Sequence, residues 1–226
     1  MEKIVIIGAG VAGVNAATKL VDAGYDGDRI TIIDMGNDPY KRKPEEVMTG
    51  FMGAGGWSDG KLTYHTSIGG HMSKYCGEDK AMSLFNEVIE NFKRFHPKPE
   101  AVQCSNPVEE PDFIKPYFGL RLFPVWHVGT DYLHEIGKNW YDYLCSKGVK
   151  FIWNTKVEAV NFNENYVSWK RDLANVSQYY DRLIFGVGKS GIDFGKALAE
   201  QYDLPTEAKP VQIGVRFEAP QKHFQK

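Results

Sequence analysis

Three glycines and one acid near the N-terminus have types and spacing that could do chemistry. Gly8, Gly10 and Gly13 follow the apolar run 3–7, and Asp34 ends a second apolar run. Gly8 would permit a tight turn, Gly10 would let the backbone approach a pyrophosphate, and Gly13 would let a helix pack closely on a strand. The carboxylate of Asp34, roughly 20 residues after the glycines, is placed to accept ribose hydroxyls. The pattern predicts dinucleotide binding by Gly8, Ala9, Gly10, Val11, Ala12, Gly13 and Asp34.

The elements that must position these residues form one βαβ unit. The apolar run 3–7 reads as a strand, residues 14–23 as a helix that stops at Gly24, and residues 29–33 as a second strand. This context favours dinucleotide binding over a glycine turn in an unrelated α/β protein. Met35 and Gly36 follow the acid, so a basic residue for a 2′-phosphate is missing there. The motif alone leaves both FAD and NAD open.

Composition places the chain among ordinary globular proteins. It has 226 residues, 42% of them hydrophobic, and a formal net charge of −2, which gives no reason to expect nucleic acid or an anionic membrane as a partner. No apolar run approaches the roughly 18 residues of a membrane span, and the first apolar run is too short for a signal peptide. We therefore expect a cytoplasmic protein.

The three cysteines are widely separated and form no CxxC pair, which argues for a reducing compartment and against a dithiol reductase. No pattern of His or Cys ligands predicts a metal site.

A second glycine-rich segment covers residues 47–63. Because it also carries Trp, Asp and Lys, it is more typical of a loop that faces a ligand than of a flexible linker. We predict that this loop contributes cofactor contacts from Gly55, Gly56, Trp57, Ser58, Asp59 and Lys61.

The remaining chain predicts alternating elements. Residues 78–95 are an amphipathic helix, residues about 97–127 are a proline-rich irregular excursion, and Thr130 or Asp131 is placed to cap the next helix. Further strands are predicted at 149–153, 156–162, 166–170, 179–185 and 211–217, with a helix at 192–202.

Several of these motifs together resemble the FAD-binding domain of the glutathione-reductase-like flavoproteins. They are the βαβ unit with Asp34, the strand 156–160, the meander after it, and the run 181–188. The resemblance implies a Rossmann-like α/β fold, a parallel sheet flanked by helices with a three-stranded antiparallel β-meander crossover. It also implies that the backbone at Val157 contacts adenine and that Gly186 and Gly188 lie at the cofactor.

Within that superfamily the chain is more similar to a group of poorly characterised FAD-dependent dehydrogenases. Residues 55–62, 127–131, 188–191 and 213–218 match the motifs of that group in order. The resemblance implies that residues 1–209 form the FAD-binding domain and that residues 210–226 begin a substrate domain. The chain is then expected to be the N-terminal portion of such an enzyme, with the C-terminal half supplied by a possible partner chain.

The resemblance implies an FAD-dependent oxidoreductase that passes a hydride between an unknown small organic substrate and flavin. Lys61 could place a positive charge near the flavin, and His65, His71 and His127 are candidate acids or bases. Two alternatives stay open. One is a non-catalytic nucleotide-binding or partner subunit, and the other is an NAD(P)-dependent reductase that uses the Rossmann unit alone.

Overall fold

A computed structural model describes residues 1–57, 60–70, 72–106 and 123–207, with the isolated positions 112, 115, 116, 119, 213 and 214. Ser58, Asp59 and His71 lie outside the described residues, as does most of the predicted segment 210–226. None of the helices in the described ranges is both long enough and apolar enough to cross a membrane.

The described part of the chain contains both helices and strands. The helices are α1 (Val11–Asp22), α2 (Met72–Cys76), α3 (Glu78–Phe95), α4 (Leu133–Ser146) and α5 (Ile192–Gln201). The strands are β1 (Ile4–Ile7), β2 (Ile30–Ile33), β3 (Lys61–Thr63), β4 (Gln103–Ser105), β5 (Val125–His127), β6 (Lys150–Ile152), β7 (Ala159–Asn161), β8 (Tyr166–Arg171), β9 (Ala174–Tyr179) and β10 (Arg182–Phe185).

A parallel four-stranded sheet with the order β10-β1-β2-β6 forms the centre of the fold. Strand β1 is buried along its whole length, and its side chains alternate between two apolar clusters on opposite faces of the sheet. Helices α1, α3 and α4 pack in the cluster on one face, while α5 and the β7–β9 sheet pack in the other. Covering both faces explains why β1 is a continuous apolar run and why three of the four residues of β2 are isoleucines, rather than apolar and polar residues alternating. The predicted fold class is confirmed.

Helices α3 and α4 follow the apolar periodicity of the sequence. Helix α3 has the predicted bounds, and α4 buries apolar residues at helical spacing, namely Leu133, Ile136, Trp140 and Leu144. The predicted cap of α4 is wrong. Thr130 and Asp131 lie in a 3₁₀ turn that leads directly into the helix, and no described side chain caps its first residue. A turn that already has helical backbone geometry replaces the expected cap.

The predicted three-stranded meander is present as the antiparallel sheet β7-β8-β9. Its third strand, β9, was not expected from the sequence, since only its last residue belongs to the predicted run 179–185, and that run is divided. Tyr179 ends β9, whereas Arg182–Phe185 returns to the parallel sheet as β10. The excursion 97–127 is also more regular than predicted in its described part, since β4 pairs with β5 near its two ends. Strands of only three residues that pair with a partner far away in the sequence show little periodicity, so these strands could not be predicted.

A buried hydrogen bond joins helix α1 to α4, and we expect its loss to lower stability. The indole Nε1 of Trp140 donates to Thr18 Oγ1 at 2.7 Å, and both residues are fully buried. Thr18→Val keeps the side-chain shape but leaves the indole N–H unpaired, so we expect the free energy of unfolding to fall by about 1–3 kcal/mol. Equilibrium urea unfolding would measure the change.

The matched control repeats Thr18→Val in a Trp140→Phe background. There the substitution should cost much less, because no indole N–H remains to be left unpaired. An equal cost in both backgrounds would contradict the role given to this hydrogen bond.

Candidate functional site

A cleft of about 360 Å³ opens beyond the carboxyl ends of β1 and β10, where ligands bind in open parallel sheets. Its walls come from five parts of the chain. They are the glycine turn at 8–11, the end of β2 at Asp34, the segment 48–55, and the two segments that follow β6 and β10. Residues that are distant in sequence therefore share one cavity.

The glycines of the turn have different surroundings. Gly8 has a φ of 100°, and a Cβ added to it would collide with the carbonyl oxygen of Gly186. A Cβ on Gly13 would collide in the same way with the carbonyl oxygen of Gly8. A Cβ on Gly10, by contrast, would meet nothing within 4 Å. Gly8 and Gly13 thus permit close approach of protein backbone, whereas Gly10 leaves free space on the side of the cleft.

Helix α1 begins at the floor of this cleft. Gly10 is the residue before the helix, no described side chain caps it, and the first turn contains no acid. Both Gly10 and Val11 line the cleft. The first N–H groups of a helix lack partners within the helix, and its positive dipole end favours anions. The arrangement can bind a phosphate group.

Asp34 is buried at the end of β2, and its carboxylate accepts hydrogen bonds from three backbone N–H groups. Oδ2 accepts from Ala9 at 2.8 Å, while Oδ1 accepts from Gly36 and Gly50, also at 2.8 Å. These bonds join the glycine turn, the end of β2 and the next loop. Since each carboxylate oxygen has two lone pairs, Oδ2 keeps acceptor capacity toward the cleft that Asp34 lines.

The second glycine-rich segment forms the wall opposite the glycine turn, the second wall of the cleft. The residues that form it come earlier in the segment than those predicted from the sequence. Met52 to Gly55 line the cleft, and Met52 N–H donates to the Ala9 carbonyl at 2.7 Å. Of the predicted residues, Gly55 lines the cleft, whereas Gly56 packs against Met52. Met52 is a buried non-glycine residue in the left-handed region, with a φ of 63°.

Trp57 lies behind this wall rather than in it. Its ring packs against His134 at a tilt of 56°, with centroids 4.2 Å apart, and the guanidinium carbon of Arg42 lies 4.7 Å from the ring centroid. Desolvation lowers the pKa of the His134 imidazole, and the charges of Lys138 and Arg42 act in the same direction. Burial also lowers the pKa of Arg42, against the opposing influence of the Asp34 and Glu46 carboxylates. Sequence reasoning missed Arg42, because an arginine in a polar loop has no periodic pattern.

Two further segments complete the cleft. Val157 lines it after β6, and Gly186 and Gly188 line it after β10, while their contact with a cofactor stays a prediction. Lys156 and Lys189 also line it and were not expected. Both lie inside segments that carried the resemblance, 156–160 and 188–191, and that position was the available signal.

The candidate catalytic residues lie elsewhere. Lys61 on β3 is paired in register with His127 on β5, so the structure brings these two together. His65 follows β3, and its Nδ1 lies 2.7 Å from Ser67 Oγ. None of the three is among the described residues that line the cleft. Their catalytic role therefore stays a prediction.

Comparisons with known proteins give weak similarities. No protein-family model matches the sequence, and neither does any curated protein. Among solved structures, a flavoprotein/dehydrogenase from Cytophaga hutchinsonii matches with 12% identity and a TM-score of 0.45, covering 91% of this chain and 43% of that one. A modified fructosyl peptide oxidase from Aspergillus nidulans matches with 15% identity and a TM-score of 0.46, covering 83% and 50%.

A third match is a 3-ketosteroid-delta4-(5alpha)-dehydrogenase from Rhodococcus jostii RHA1, with 13% identity, a TM-score of 0.48, and coverage of 81% and 45%. The chain thus spans about half the length of these structures or less. Because the similarities are low in both sequence and shape, the assignment of this site rests on the geometry of the cleft.

The different surroundings of Gly10 and Gly13 give a paired prediction. Gly13→Ala should lower the free energy of unfolding by about 1–3 kcal/mol or more, because its methyl group collides with backbone. Gly10→Ala should change stability by less than about 0.5 kcal/mol. It should nonetheless weaken the binding of an adenine dinucleotide by about tenfold, because the methyl group enters the space that the ligand would take.

Urea unfolding and a nucleotide titration, run on both variants, would check these outcomes. A Gly10→Ala variant that binds as well as the unsubstituted protein would argue against a ligand at the start of α1.

Proposed function

We propose that the cleft binds FAD and that the chain is the nucleotide-binding portion of a flavin-dependent oxidoreductase. The observation that carries this proposal is the open space at Gly10 beside the uncapped start of α1. A pyrophosphate fits such a place, because backbone N–H groups and the helix dipole both favour an anion that can approach closely. The residues present therefore suit the phosphate centre of a dinucleotide.

The second wall supports FAD over a nicotinamide cofactor bound by the βαβ unit alone. Met52 is attached to the glycine turn through the Ala9 carbonyl and through a bridge with Gly10. This attachment continues the phosphate-binding surface into residues 53–55. An NAD domain of the simple kind needs neither this wall nor the β7–β9 meander.

The adenosine end of the ligand is assigned to the part of the cleft near Asp34. We propose that Oδ2 of Asp34, which accepts one backbone hydrogen bond, also accepts a ribose hydroxyl. Val157, which is buried and lines the cleft, would contact the adenine. The glycines Gly186 and Gly188 close the same side after β10.

A bound flavin supplies hydride transfer with an organic substrate. The protein binds and orients the cofactor through the glycine turn, Asp34 and residues 52–55. Lys61, His65 and His127 remain the proposed candidates for charge and proton transfer near the substrate. Residues 1–209 would form the FAD-binding domain, and a further domain or a partner chain would complete the enzyme.

The proposal is tested by titrating the purified protein with FAD, ADP and FMN. We expect FAD to bind and to give flavin absorbance at roughly 370 and 450 nm that is bleached by a reductant. ADP should displace FAD, because the described cleft engages the adenosine and phosphate groups. FMN should not displace it, because FMN lacks the adenosine.

The contrary outcomes are distinct. A protein that binds neither FAD nor ADP would sink the proposed function. Binding of NAD with no binding of FAD would support the reductase alternative. Binding of ADP without any flavin response would support a nucleotide-binding subunit that lacks turnover.

A further inference from the structure

Arg42 is a buried residue whose guanidinium is surrounded by backbone carbonyl groups. Nε and Nη2 donate to the Glu46 carbonyl at 2.9 and 2.8 Å, and Nη1 donates to the Phe51 carbonyl at 2.8 Å. Nη2 also contacts the carbonyls of Val47 at 2.9 Å and Gly53 at 2.8 Å. One side chain thus gathers four carbonyl oxygens from the loop that forms the second wall of the cleft.

By holding these carbonyl groups, Arg42 also fixes the direction of the N–H group of the residue that follows each of them. In a planar trans peptide the C=O group and the following N–H group point in opposite directions. The Phe51 carbonyl is held by Arg42, and the following N–H, that of Met52, donates away from it to the Ala9 carbonyl. The peptide between Phe51 and Met52 is therefore held by hydrogen bonds at both its carbonyl and its N–H.

The peptide between Gly53 and Ala54 is also held by Arg42, at its carbonyl end. The Gly53 carbonyl accepts from Arg42, so the N–H of Ala54 is directed away from Arg42. Ala54 lines the cleft, whereas Arg42 does not appear among the described residues that line it. The amide of Ala54 consequently faces the side of the wall on which a ligand would lie.

This part of the wall lies beside the start of α1. A Cβ on Gly53 would be 3.7 Å from Gly10 Cα, and a Cβ on Gly55 would be 2.7 Å from Val11 Cγ2. Ala54 lies between these two glycines in sequence. Its N–H is accordingly close to the place where the first turn of α1 would meet a phosphate.

We infer that Arg42 is a positioning residue that presents the Ala54 amide to the diphosphate of the bound nucleotide. The inference rests on the proposed nucleotide site. Arg42 itself does not touch the ligand, and it acts through the Gly53–Ala54 peptide. Arginine suits this task because its planar fork of five donors can hold several carbonyls at once, whereas a lysine ammonium has three donors on one atom.

The experiment follows backbone amides by NMR in protein labelled with ¹⁵N-alanine, with ADP as the ligand. Ala54 reports on the second wall, and Ala12, in the first turn of α1, reports on the helix start. In the unsubstituted protein, saturating ADP should shift both amide resonances. In Arg42→Lys, ADP should bind about tenfold more weakly or worse. At saturation the shift at Ala54 should then be largely lost while the shift at Ala12 persists.

The matched control is Arg94→Lys, the same substitution at an arginine on α3 that pairs with Asp22. It should leave the ADP affinity and both alanine shifts unchanged. Urea unfolding identifies the conditions in which each variant is folded. The measurement on the unsubstituted protein does not depend on the folding of any variant.

The outcomes separate this inference from the proposed function. If ADP shifts Ala12 but not Ala54 in the unsubstituted protein, the role of Arg42 is overturned and the nucleotide site stands. An Arg42→Lys protein that binds ADP with unchanged affinity and an unchanged Ala54 shift would overturn it as well. If ADP shifts neither alanine, the nucleotide site itself is wrong, and this inference fails with it.

Discussion

The carboxylate of Asp34 is the constraint on which the cleft depends. It is buried at the end of β2, and it accepts N–H groups from Ala9, Gly36 and Gly50. A buried carboxylate requires such donors, because an unpaired charge out of water is strongly unfavourable. Satisfying this one side chain therefore holds the glycine turn, the exit from β2 and the second wall in one arrangement. Asp34, which is proposed to bind the ribose, thus also has a structural role, because its hydrogen bonds hold these three segments together.

The central sheet gives rigid support to the segments that Asp34 holds together. Side chains of β1 enter apolar clusters on both faces, so the strand that leads into the glycine turn is fixed on every side. The turn itself is pressed between the Gly186 backbone and the first turn of α1. A site built on such elements needs little rearrangement to receive a ligand, and that saves part of the ordering entropy of binding.

Local sequence was sufficient for the parts of the fold whose pattern is local. The βαβ unit and helix α3 have clear local patterns and are found where they were predicted, although α1 begins at Val11, three residues before its predicted start. The pairing of β4 with β5 and the strand β9 were missed, because pairing between short strands depends on partners and not on composition. The role of Arg42 depends on carbonyl groups, which are the same in every residue and leave no trace in the sequence.

The turn at the cleft contains two kinds of glycine, and this has a consequence for the history of such a chain. Gly8 and Gly13 are held by the collision of a side chain with the protein's own backbone, whereas the space beside Gly10 is empty in the protein alone. Selection for folding would retain the first two. Selection for a ligand would add to whatever retains the third. A descendant that had drifted away from cofactor use would therefore keep its architecture and lose Gly10 first.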